Sequence, residues 1–177
     1  KYHLDLKRSN AFDGYIQIFA AWVDGDNPKA KAKRLIEKFY EEEKKHNDKL
    51  SLCKNFIEIK KALDDNKTAA ILSIEGGEAL DGKIENIDFF YDLGVRLITL
   101  TWNHENQLGD GVLSEKDRGL TKFGLDCVKK MQEKKMMVDV SHLNEKGFWD
   151  VIEISNSPIT ASHSNSKKIC PHVRNLT

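Results

Sequence analysis

No stretch of this 177-residue chain is apolar for anything near the roughly 20 residues that a membrane-spanning helix requires. Net charge is missing as well. The 28 basic residues offset 28 acidic ones, which leaves no excess for gripping nucleic acid or an anionic membrane. Cysteine is scarce: Cys53, Cys127 and Cys170 are odd in number, far apart and include no C-x-x-C pair. That excludes a disulfide framework and points to a reducing, cytoplasmic setting. No leader is read in KYHLDLKRSN, which is polar from its first residue. Long linkers and low-complexity tracts are absent too, so residues 1–177 are expected to form a single domain with a real core.

What is present is an alternation of apolar runs and amphipathic stretches. Strands are expected over Gly14–Val23, Thr68–Glu75, Val95–Thr101, Met136–Ser141 and Ser157–Ser162. Between them, helices are expected over Lys29–Lys45, Ser51–Asp64 (Leu52, Phe56, Ile59 and Leu63 at helical spacing), Ile84–Leu93, Leu120–Lys135 and Asn144–Ile154 (Phe148, Val151 and Ile152 inward). Pro28 suits a first helical turn, Gly94 a helix stop and Asn144 an N-cap. Strand–helix repetition of this kind means parallel strands joined by helical crossovers. Several strands are apolar on both faces, as a helix-covered sheet requires. Five strands fall short of the eight of a closed barrel. The pattern leaves two options: an open doubly wound sheet, or a TIM-type (β/α) barrel that is incomplete in this chain. The barrel is favoured, lacking its first strand and its last strands.

Four apolar runs end in ligand-capable side chains: AAILSIE on Glu75, LITLTWNH on His104, MMVDVSH on His142 and SPITASH on His163. In a parallel barrel the active site lies where the strands run out. A carboxylate and imidazoles delivered there from separate strands read as a metal site. Glu75 is followed by Gly76-Gly77, which permits a sharp turn and leaves room beside the carboxylate. Its bland alternative is a strand-end glutamate paired with a lysine. For His142 and His163 the alternative is a satisfied core histidine, and for His104 a loop histidine. Arg174 has the planar fork that holds a carboxylate, but a surface arginine fits equally well. His3-x-Asp5 has the H-x-D form of a barrel metal motif, yet no apolar strand precedes it. Trp22, Trp102 and Trp149 are read as packing residues.

Taken in order, SIEGGEAL, YDLGVRLITLTWNHEN, GLTKFG, MMVDVSHL, SPITASHS and CPHVRN resemble the membrane (renal) dipeptidase family, the M19 zinc peptidases. IQIFAAWV resembles that family's second-strand region more loosely. The resemblance implies a TIM-type barrel of the metal-dependent hydrolase kind with a two-zinc site. In it Glu75 bridges both zincs and His142 and His163 complete the second. Arg174 grips the carboxylate of a dipeptide whose peptide bond is cleaved by a metal-activated water. The family's H-x-D is expected upstream of Lys1, and its strand-ending aspartate, a zinc ligand and proton shuttle, beyond Thr177. His3-Leu4-Asp5 matches a later polar segment and takes no metal role. Where many relatives place a substrate-contacting histidine this chain has Trp102, and His104 is the nearest replacement. A piece of this length is expected to be inactive by itself. The resemblance leaves open a homodimer, another amidohydrolase activity such as deacetylation or lactam opening, and a non-catalytic binding module derived from the barrel.

Overall fold

The computed structural model describes residues 4–9 and 11–177. A short helix α1 (Leu6–Ser9) precedes strand β1 (Tyr15–Trp22) and helix α2 (Pro28–Lys45). There follow β2 (Leu50–Leu52), α3 (Phe56–Asp64), β3 (Thr68–Glu75) and a 3-10 turn (Gly77–Leu80). The rest is α4 (Glu85–Asp92), β4 (Val95–Thr99), α5 (Lys122–Glu133), β5 (Met137–Asp139) and α6 (Glu145–Ile154). All strand pairs are parallel, in the order β1-β3-β4-β5. β2 pairs with residues 68–70 of β3, and β4 takes over the same edge from Leu72 onward. The result is a curved parallel sheet with helical crossovers, part of a (β/α) barrel.

β3 shows why the sheet forms. Seven of its eight residues, Thr68 through Ile74, are buried, and only Glu75 at its end reaches solvent. A strand flanked on both edges and covered on one face by helices needs such a run. Leu72, Ile74, Ile98 and Val138 share one core with Ile36, Ile87, Phe90, Val128 and Met131 from the helices. The opposite face is recessed, with Ser73, Leu97, Thr99 and Asp139 buried on it. Ile16, Ile18, Ser73, Glu75, Leu97, Thr99 and Asp139 line a groove there. Register places Trp22 beside Glu75, Glu75 beside Thr99, and Thr99 beside Asp139. One transverse row at the C-terminal ends of the strands therefore carries the chemistry.

Three expectations are corrected. Ser51 and Leu52 belong to a strand, and the helix starts only at Phe56, where Asn55 Oδ1 accepts from the Glu58 N–H at 3.0 Å. The Glu58 carboxylate accepts in return from the Lys54 N–H at 2.7 Å, so the helix start is capped from both directions. Phe56 consequently faces solvent, 77% exposed, rather than the core. The stretch 157–162 is not a full strand: it joins β5 through the single bridge Asp139–Thr160, with Val140 N–H donating to Thr160 O at 2.9 Å. On α6, Val151 is buried as expected, whereas Ile152 and Trp149 are exposed. The expected Asn144 cap is present, its Oδ1 accepting from Gly147 N–H at 2.8 Å; Thr121, inside the stretch expected to be helical, is itself an N-cap, its Oγ1 accepting from Gly124 N–H at 3.0 Å. None of the described helices is long and apolar enough to cross a membrane.

Candidate metal centre

Glu75 ends β3, His142 lies in the loop after β5, His163 follows the single bridge at Thr160, and the three meet at one point. His142 Nε2 lies 3.1 Å from Glu75 Oε1, His163 Nε2 lies 3.4 Å from the same oxygen, and the two Nε2 atoms are 2.9 Å apart. A single cation bound at about 2.0–2.2 Å can touch donors no more than about 4.4 Å apart, and all three edges of this triangle are shorter. No other such His/Cys/Asp/Glu cluster occurs among the described residues.

Each donor is placed by backbone that has little freedom. Glu75 is the last residue of β3, and Gly76 follows with φ +97°, a conformation that favours glycine. Gly77 is needed for close approach, since a Cβ there would lie 2.7 Å from the Leu100 carbonyl oxygen. His142 sits three residues past β5 with φ +69°, uncommon for a residue with a Cβ. Its carbonyl accepts from the Val112 N–H at 2.8 Å and its Nδ1 lies 2.9 Å from Asn103 Oδ1, so the loop after β4 clasps it from both ends. His142 is 4% exposed, against 45% for the His163 side chain. Ser141 Oγ accepts from the His163 N–H at 3.1 Å, and Ser162 Oγ lies 2.8 Å from His163 Nδ1.

The electrostatics favour an anionic oxygen at the centre. The His142 ring beside Glu75 holds its carboxyl below the usual carboxylate range, against the upward push of burial, with His163 and Arg174 adding to the lowering. Arg174 donates through Nη2 to the His163 carbonyl at 3.3 Å, while its buried Nε has no partner among the described residues. Burial lowers its pKa and the charges of Glu75 and Asp139 oppose that shift. A guanidinium placed this way has a donor left for a further anion.

Not every expected residue joins the cluster. His104 is exposed, and its carbonyl accepts from Gly111 N–H at 3.3 Å. It stands outside the triad. Trp102 is closer: its ring centroid is 6.1 Å from that of His142 and 5.2 Å from Trp22, so these two indoles edge the site. His3 lies outside the described residues, and Asp5 pairs with Arg8 at 2.9 Å. Asp139, Ser162 and Asn103 contact or support the triad and were not singled out from the sequence. A charged residue within the apolar run MMVDV was the available signal for Asp139. Asn103, in an irregular loop, gave none. The Asp139 carboxylate is driven upward by burial but ends below its ordinary range. The reason is that Ser162, through side chain and backbone, the Ser141 N–H and the Thr99 hydroxyl all donate to it.

Comparison with known proteins agrees with this geometry. The profile of the membrane dipeptidase family, peptidase family M19, matches residues 1–177. A protein of Acinetobacter calcoaceticus known by its position in the PQQ-III 3′ region is 38% identical over 138 residues, 75% of this chain and 44% of that protein. A dipeptidase of Claviceps purpurea is 31% identical over 74% of this chain and 31% of its own length. A metallopeptidase of Rhodobacter sphaeroides, solved with a phosphinate mimic of the dipeptide L-Ala-D-Ala, superimposes with TM-score 0.90 at 26% identity. It covers 99% of this chain and 60% of that one. The chain thus spans about half the length or less of the curated relatives it matches. With the family profile matching its full length, this chain belongs to the membrane dipeptidase family, peptidase family M19.

Proposed function

We propose that the full-length protein is a dipeptidase working with two zinc ions, one of which is held by Glu75, His142 and His163. The observation that carries this reading is the convergence of their three donor atoms within 3.4 Å of one another. The donor set fits: two imidazole nitrogens and a carboxylate oxygen match what zinc takes in hydrolytic sites, with a position left open. Glu75 faces both histidines through Oε1, and its carboxylate would be the residue shared with a second ion. When bound, the ions polarise the scissile carbonyl and acidify water.

The residues of this chain do the rest. Glu75 supplies the negative charge that offsets the cations. His142 and His163 hold position without adding charge. Arg174, whose Nε has no partner among the described residues, binds the C-terminal carboxylate of a short peptide in this reading. Trp22 and Trp102 wall one side of the site against water. The phosphinate mimic of L-Ala-D-Ala in the Rhodobacter sphaeroides relative makes dipeptides the substrate class to try first.

The test is hydrolysis of a dipeptide panel by the full-length protein, before and after exhaustive chelation. Activity should vanish with the metal and return with two equivalents of zinc. Hydrolysis that survives complete metal removal, or none at all with two zincs bound, defeats the proposal.

A further inference from the structure

We propose that Asp139 and Ser162 form a positioning relay that fixes His163 as its Nδ1–H tautomer, with Asn103 doing the same for His142, so that both rings present a bare Nε2 to a shared divalent cation. The inference rests on reading the triad as a metal site, and adds the residues that orient its ligands.

The hydrogen-bond directions follow by elimination from the groups that have no choice. Asp139 has no exposed surface. Its Oδ1 takes two backbone N–H groups, Ser141 and Ser162, each at 3.0 Å, and a backbone N–H can only donate. Its Oδ2 takes the Thr99 hydroxyl at 2.8 Å and the Ser162 hydroxyl at 2.5 Å. Four donors occupy the roughly four lone-pair sites of a carboxylate. Ser162 therefore spends its only hydrogen on Asp139, and what its oxygen offers His163 Nδ1, 2.8 Å away, is a lone pair. Nδ1 must carry the proton there, and in the neutral ring Nε2 is left bare. At His142 the same result comes from a simpler contact. The partner of Nδ1 at 2.9 Å is the Asn103 amide oxygen, which only accepts. With both rings neutral, two bare nitrogens and a carboxylate oxygen facing one another repel unless a proton or a metal cation lies among them.

The saturation of Asp139 also excludes it as a ligand, even though register puts it in the same row as Glu75, two strands away. Its work is indirect: an anion behind a hydroxyl behind an imidazole, which orients the ring and strengthens it as a donor. His163 needs that support more than His142 does. Its side chain is 45% exposed, whereas His142 is 4% exposed and clasped by Val112 and Asn103. The anionic relay thus serves the freer ligand and the neutral amide serves the ligand already held by packing.

The experiment measures Zn2+ affinity in the full-length protein by competition with a chromophoric chelator. Ser162→Ala should weaken the site by roughly 10–100-fold, the usual cost of losing an outer partner of a ligating histidine. Ser162→Thr keeps the hydroxyl and should restore wild-type affinity, which a purely structural role for Ser162 does not require. Wild-type affinity in a folded Ser162→Ala overturns the relay. Independently, long-range 1H–15N spectra of the metal-free wild type, recorded at a pH where the imidazoles are neutral, should show His163 and His142 protonated at Nδ1, and a neutral His163 ring protonated at Nε2 instead overturns the assignment even if Ser162→Ala does not fold. A wild type that binds no Zn2+ sinks the metal reading, and the tautomer result then decides the relay separately.

Discussion

Replacing Asp110 by asparagine removes a charge and almost no volume, at a point where the loop between β4 and α5 is pinned. The Asp110 side chain has no exposed surface and accepts from Arg118 three times: from its N–H at 2.8 Å, Nη2 at 2.7 Å and Nε at 3.3 Å. The same loop carries Asn103 and Val112, which hold His142. Asparagine keeps one acceptor oxygen but turns an amide NH2 toward donors. Charge-assisted hydrogen bonds are worth about 1.5–3 kcal/mol, and the exposed guanidinium of Arg118 regains water when released, so a loss of about 2 kcal/mol is expected at neutral pH. The pH dependence fixes the cause. The Arg118 hydrogen bonds hold the Asp110 carboxyl below its ordinary range, against burial. A carboxyl whose pKa is depressed by folding stabilises the fold fully above its unfolded value of about 3.9, and that contribution fades as pH falls through the lower folded value. Urea unfolding of wild type and Asp110→Asn in the full-length protein should therefore differ by a constant amount from pH 7 down to about pH 5, with the gap closing only in the acid range below about pH 4. A gap that is absent at pH 7, or that does not shrink in acid, refutes the clamp.

Two further outcomes follow from the structure. Burial pushes the Cys127 thiol up to about 12, while Cys170 is exposed. A thiol reagent at pH 8 should thus label Cys170 quickly in the native protein, with mass spectrometry showing Cys127 and the buried Cys53 modified only on unfolding. Arg174→Lys should raise the Michaelis constant for dipeptides about tenfold or more while kcat changes less, because a lysine lacks the planar fork. An unchanged Michaelis constant removes Arg174 from substrate binding.

How far the sequence went depends on the length of each signal. Thr68–Glu75 was legible to the residue, because a long apolar run closed by Glu and two glycines has few other readings. Glu75 was legible as a strand end; His142 and His163 lie past their expected strand ends, yet the fold brings all three together. β2 was not: Leu50-Ser51-Leu52 is three residues long, and Leu52 fits the spacing of the helix that follows as well as it fits a strand. Spacing alone puts Phe56 and Ile152 on the apolar faces of their helices, yet in helices of nine and ten residues a small rotation moves an apolar side chain off the buried face. The supports of the ligands were the least visible. Asn103 reaches His142 across 39 residues and Asp139 reaches Ser162 across 23, contacts that exist only once the strands are in register. The positive φ of His142 depends on the loop that binds its carbonyl, and nothing local announces it.

The most direct measurement is anomalous diffraction at the zinc absorption edge from crystals of the zinc-loaded full-length protein. A peak within about 2.0–2.2 Å of Glu75 Oε1, His142 Nε2 and His163 Nε2 is the expected result. A fully occupied zinc elsewhere in the molecule, with no peak among these three side chains, contradicts the metal centre and the dipeptidase reading built on it.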